Sequence, residues 1–221
     1  MQVGIFGKLP AKRDFVSYGL TRPFLDGWEQ WLQAGIAESR HALGEAWKDI
    51  YLTLPIFRFW VGPGVFGQAA AGAIMASVDG VGRYFPLTLC ACAEPGECPI
   101  TANDPELDRW LGTVEQALLS LLQDQMAFDP PAILESLGVP PATALSASAG
   151  PVQPLAFWTN EGRTLQQAFD DVENADHSRR INRRGLWWTM GGEHHAPQLI
   201  TTEGEVPAAL WTSFLTGQVA T

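Results

Sequence analysis

The stretch AAAGAIMASVDGVGRYFPLTLCACA, Ala69 to Ala93, decides how this chain folds. It holds two continuous apolar runs, AAAGAIM (Ala69 to Met75) and LTLCACA (Leu87 to Ala93), joined by SVDGVGRYFPL (Ser77 to Leu87). Runs of this length and apolarity read as strands buried on both faces. The joining turn carries one acid, Asp79, one base, Arg83, and the glycines Gly80 and Gly82. Glycine supplies backbone angles that tight turns require, and loops on a rigid scaffold tend to hold function. The loop therefore reads both as a folding constraint and as a functional surface.

Working outward, IFRFWVG (Ile56 to Gly62) is a further strand, rich in aromatic and β-branched residues and closed by the turn signal Gly62-Pro63-Gly64. Three strands in quick succession predict a partly antiparallel sheet. VGIFGKLP predicts a first strand ended by Gly7 and Pro10, and AKRDFVSYGL after it reads as a loop, because its apolar residues keep no period. Thr21 and Pro23 open a helix whose apolar face is Phe24, Trp28, Trp31, Leu32, Ile36 and Leu43. EAWKDIYLTL adds a turn or two of helix. Asn103 or Asp104 before Pro105 caps a second long helix with Leu107, Trp110, Leu111, Val114, Leu118, Leu121 and Leu122 at helical spacing. A short helix is expected over Asp129 to Leu137.

The uncharged, Pro/Ala/Ser-rich segment 138–154 reads as a linker or as a long surface crossing. A strand at LAFW, a helix from about Thr164 to Asp176, the segment GLWWTMGG, a short strand at QLIT and a closing helix at VPAALWTSFL follow it. The 67 residues after Pro154 are few for an independent core, so the expectation is one layered α/β domain over residues 1–221.

Composition narrows the function. The formal net charge is −10 and no basic stripe offsets it, which argues against binding nucleic acid through its phosphates. The cluster Arg179, Arg180, Arg183 and Arg184 lies in an otherwise acidic stretch and reads as a solvated face. No apolar run is long enough to span a bilayer and MQVGIFGKLP is no signal peptide, so a cytoplasmic protein without membrane insertion is expected. Cys90, Cys92 and Cys98 are odd in number and fit reduced thiols.

Catalytic patterns fail one by one. GIFGK (Gly4 to Lys8) lacks both the first glycine and the Ser or Thr of a phosphate-binding loop, and Gly80-Val81-Gly82 opens no helix. There is no G-x-S-x-G elbow, and Ser39 and His41 do not make a nucleophile pair. Cys90, Cys92, Cys98, His177, His194 and His195 show no metal-ligand spacing, so neither a metal nor another cofactor is expected. What remains is a set of charges in apolar surroundings: Lys12, Arg13, Asp14, Arg58, Asp79 and Arg83. Buried charges are costly unless paired. Asp79 or Asp14 is expected to pair with Arg58 or Arg83 and brace the loops at one end of the sheet. The same loops, with an exposed aromatic patch at Trp187 and Trp188, are the expected partner surface. The competing expectation is a small-ligand or enzymatic pocket at Asp14, Asp79 and Arg83.

FGKLPAKRDF (Phe6 to Phe15), SRHALGEAW (Ser39 to Trp47), FRFWVGPGVFG (Phe57 to Gly67), SVDGVGRYFPLTL (Ser77 to Leu89) and RRGLWWTMGG (Arg183 to Gly192) together resemble the TagF family, also called ImpM, of type VI secretion accessory proteins. The blocks span nearly the whole chain in the expected order. One departure is Arg13, where glycine is expected before the aspartate. The resemblance implies a single three-layer α/β/α domain, and the strand pattern predicts that its sheet is mixed and partly antiparallel. The resemblance also implies a non-enzymatic, post-translational regulator, a repressor of bacterial type VI secretion, whose partner is a forkhead-associated (FHA) domain component. Lys12, Asp14, Arg58, Asp79, Arg83, Trp187 and Trp188 are its candidate partner-binding or structural residues.

Overall fold

The computed structural model describes residues 1–123, 128–145, 177 and 179–218. Strand β1 (Gln2–Gly7) leads through a short connection to β2 (Val16–Tyr18), and the long helix α1 (Arg22–Leu43) follows. After a single 3-10 turn come α2 (Trp47–Leu52), β3 (Phe57–Val61), the one-turn α3 (Pro63–Phe66), β4 (Ala70–Met75) and β5 (Leu87–Cys92). Then follow β6 (Glu97–Pro99), α4 (Pro105–Gln123), α5 (Pro130–Leu137) and β7 (Ala142–Ala144). The described chain ends with β8 (Arg184–Thr189), β9 (Gln198–Glu203) and α6 (Ala209–Thr216).

Seven strands form one sheet in the order β2-β1-β5-β4-β3-β8-β9, and β6 pairs with β7 in a small second sheet. Every described pairing is antiparallel, so the expectation of a mixed sheet is corrected. For the four pairs that are consecutive in sequence the cause is connection length. The links from β1 to β2, β3 to β4, β4 to β5 and β8 to β9 are each shorter than the dozen or more residues that a parallel crossover needs.

β3, β4 and β5 are buried at every position, as their apolar runs predict. Alternate side chains then serve two cores. Phe57, Phe59 and Val61 of β3, with Cys90 and Cys92 of β5, pack in one cluster with Trp28 and Trp31 of α1, Tyr51 of α2 and Trp211 and Phe214 of α6. Trp60, with Leu87, Leu89 and Ala91, packs in the other against Leu107, Leu111, Val114 and Leu118 of α4. The first core is unusually aromatic: Trp28 lies within 6 Å of the ring centres of Phe24, Trp31, Phe59, Phe66 and Trp187. Its indole N–H is satisfied by Thr88 Oγ1 at 3.1 Å, which removes the cost of burying it.

Three local expectations change. Residues 16–18, read as loop, form an edge strand held by β1, with Ile5 opposite Tyr18. Gly62-Pro63-Gly64 starts the single turn α3 instead of a plain turn, with Pro63 at its first position. Thr21 makes no helix cap through its side chain; its hydroxyl donates to Gln68 Oε1. Asp104 is the residue that caps α4, accepting from the Glu106 amide at 2.8 Å. β7 falls inside the segment read as a surface crossing, and the expected strand at LAFW and helix from Thr164 to Asp176 lie outside the described residues.

Candidate functional site

The β4–β5 connection is a closed hairpin loop. Val78 and Tyr84 bridge its base, the Asp79 amide donates to the Arg83 carbonyl at 3.0 Å, and the Gly82 amide donates to the Asp79 carbonyl at 3.0 Å. Gly82 takes φ +82°, the left-handed step that closes such a loop and that glycine adopts without a steric penalty. Gly80 is needed for a different reason: its amide donates to the Lys12 carbonyl at 2.8 Å, and a Cβ there would crowd the Pro10 carbonyl. The tip is thereby tied to the β1–β2 connection.

Asp79 is the buried centre of this arrangement. Its Oδ1 accepts from the amides of Val81 (3.0 Å) and Arg83 (2.9 Å); its Oδ2 accepts from Lys8 Nζ (2.8 Å) and Arg83 Nε (2.6 Å). Burial by itself would raise the carboxyl's pKa. The Lys8 ammonium, then the Arg83 amide and guanidinium and the Val81 amide, outweigh it and hold the carboxyl well below the usual carboxylate range. Arg83 Nη2 also donates to the Arg13 carbonyl, so the β1–β2 connection is tied to the hairpin loop twice, through Lys8 on the carboxylate and through Arg13 on the guanidinium.

Lys8 is the residue that sequence reasoning missed. In sequence it stands only as the end of an incomplete phosphate loop, whereas it is a buried cation whose ammonium also sits 5.0 Å over the Phe15 ring. The available signal was a lysine directly behind the apolar run VGIFG, which has to be paired if it stays buried. Phe15 in turn stacks with Phe6 and meets Phe85 edge-on at 4.8 Å, an aromatic underside to the loop cluster.

The remaining candidates are spread over the fold. Lys12 and Asp14 are exposed on the β1–β2 connection, Lys12 5.7 Å over the Phe128 ring. Arg13, the departure from the family pattern, has negative φ like every other described non-glycine residue. Arg58 does not meet Asp79 or Asp14. It points to the opposite core, where Glu115 of α4 accepts two bonds from it (2.8 and 2.9 Å) and Asp108 a third (2.6 Å). Of the four pairings expected, Asp79 with Arg83 is the one formed. Trp187 is fully buried and bonded to Thr202 Oγ1, so it takes no part in the expected exposed patch. Trp188, one residue on and on the other face, is half-buried in a groove of about 600 Å³ with Leu186, Met190 and Leu199. Asp14 is exposed on the β1–β2 connection, whereas Asp79 is buried. Arg83 borders a cavity of about 1020 Å³ on its other side, with Trp47 and Tyr84. Among the described residues, no three His, Cys, Asp or Glu side chains gather as metal ligands do, and no helix is long and apolar enough to cross a membrane.

The sequence model of the TagF N-terminal domain, described as type VI secretion system-associated, matches residues 4–136, which include Lys8, Arg58 and the whole 77–87 loop. No curated protein sequence matches the chain. Among solved structures, the crystal structure of PA0076 from Pseudomonas aeruginosa PAO1 is similar, with 32% identity, a TM-score of 0.76, and coverage of 99% of this chain and 96% of that one. The chain therefore belongs to the TagF family of type VI secretion system-associated proteins.

Proposed function

We propose that this protein is a cytoplasmic, non-enzymatic repressor of type VI secretion. It acts after translation by binding an FHA-domain component of the apparatus, and its helices and sheet form a three-layer α/β/α body that presents the binding loops. One observation carries the reading. Asp79 spends all its acceptor capacity inside the protein, and the outer rim it braces, formed by Lys12, Arg13, Asp14 and Val81, is exposed. A carboxylate so occupied is a poor general base, whereas a rim held rigid from beneath binds with little loss of conformational entropy. Family membership supplies the secretion context.

The test is capture of the purified FHA-domain component by immobilised protein. Val81→Asp and Arg13→Glu change exposed side chains and are expected to weaken capture while leaving the thermal midpoint in place. Leu119→Asp, on the exposed side of α4, should bind like wild type. Undiminished capture by both rim variants, or no capture by wild type, overturns the reading.

A further inference from the structure

The cavity of about 1020 Å³ between the end of α1, the start of α2 and the 82–84 side of the hairpin loop has an unusual charge balance. In a chain of net charge −10, it is bordered by Arg40, Lys48 and Arg83 against a single acid, Glu45. Neither Arg40 nor Lys48 has an ion-pair partner among the described residues. Arg83 does pair with Asp79, but Lys8 shares the same carboxylate oxygen, so two cations on one anion leave one positive charge.

Two of the cations are also held in place. Arg40 lies 4.4 Å over the Trp47 ring. The Arg83 guanidinium is fixed by Asp79 and by the Arg13 carbonyl, which uses Nε and Nη2 and leaves Nη1 without a hydrogen-bond partner among the described residues. Trp47 is walled in by Arg40 and by Tyr51 stacked at 4.7 Å, with Tyr84 edge-on at 5.6 Å. No open aromatic face is left for a flat ring, and the recognition offered is of negative charge.

We propose that this cavity docks an acidic peptide segment of a partner protein. The inference rests on the reading of the protein as a binder and names the chemistry of what it binds. A segment is favoured over a small anion because all three cations are exposed. Single contacts at exposed cations are weak, and only a chain carrying several carboxylates across the cavity adds enough of them.

The experiment uses fluorescein-labelled octaglutamate and the whole protein at low ionic strength, read by anisotropy. Saturable binding is expected, weakened roughly tenfold by Arg40→Glu with Lys48→Glu and unchanged by Leu119→Glu. Lys48→Glu alone, at an exposed position, keeps the test valid if the double variant folds poorly. Absence of saturable binding, or equal binding by the charge-reversed variants, overturns the proposal; so does a site that takes inorganic phosphate but not octaglutamate. Capture of the FHA component that survives in Arg40→Glu with Lys48→Glu and is lost in Val81→Asp removes this inference and leaves the functional reading standing. Octaglutamate binding without capture of that component does the reverse.

Discussion

Lys8 Nζ donates to Asp79 Oδ2 at 2.8 Å, joining the end of β1 to the loop seventy-one residues later, with both side chains buried. Removing Asp79 strands the buried Lys8 ammonium, whereas removing Lys8 leaves the buried carboxylate to Arg83 and the two loop amides alone. Asp79→Asn and Lys8→Met are each expected to lower the thermal midpoint by several degrees. The double variant Lys8→Met with Asp79→Asn should lose clearly less than the two losses added together. Strict additivity in a thermal-melt cycle would show that the two side chains are not coupled.

The same carboxylate makes stability depend on pH. The native pKa of Asp79 lies below its unfolded value, so its contribution is fully present above the ordinary carboxylate pKa of about 3.9. It is lost as pH falls from there toward the lower native value. The midpoint gap between wild type and Asp79→Asn is therefore expected to narrow from about pH 5 to about pH 2. A gap that stays constant over that range would contradict the assignment.

Arg58 distinguishes two acids that look alike in sequence. Glu115 is largely buried and takes two of its guanidinium bonds, whereas Asp108 is 70% exposed and takes one. Glu115→Gln is expected to cost about 1–2 kcal/mol in urea unfolding, and Asp108→Asn less than about 1 kcal/mol. Equal losses would mean that solvent screening does not separate the two contacts.

Tyr51 closes the far end of the hairpin. Its hydroxyl donates to the Ser77 carbonyl at 3.0 Å and accepts from the Ser77 amide at 3.1 Å; burial, which outweighs the bond to Ser77, pushes its pKa well above the usual value. Tyr51→Phe leaves the buried Ser77 amide unpaired, at a cost of about 1–3 kcal/mol. Amide hydrogen exchange at Ser77 should accelerate, and unchanged protection there would argue that water takes over the bond.

The three cysteines are buried and unpaired, and burial pushes the Cys98 thiol up to about 12 and the Cys90 thiol well above its ordinary value. Since the thiolate is the reacting form, the native protein is expected to resist a thiol reagent at about pH 8 and to label at all three positions once unfolded. Rapid labelling of the native state would show that the β5 core opens.

Much of the fold was legible in the chain. The apolar runs at 69–75 and 87–93 gave β4 and β5, and the spacing of Phe24, Trp28, Trp31 and Leu32 gave α1. β2 was missed because a three-residue edge strand exists only against its partner β1. Trp187 cannot join an aromatic patch beside Trp188, because neighbours in sequence face opposite sides of β8: Trp187 enters the aromatic core and Trp188 lies half-buried against the other core. The partners of Arg58 stand seven residues apart, two turns along α4, so one helix face carries both.

The loop around 77–87 is written in its own residues. Turn chemistry is local: an aspartate that bonds amides two and four residues on, and a glycine able to take φ +82°, are properties of that segment alone. Folding in three dimensions is what makes Lys8, not Arg58, neutralise Asp79 beside Arg83, makes the sheet antiparallel throughout its described pairings, and brings Arg40, Lys48 and Arg83 to one cavity. Those facts join positions far apart in sequence. They follow from how strand register and the two cores bring separate segments together, which no local spacing encodes.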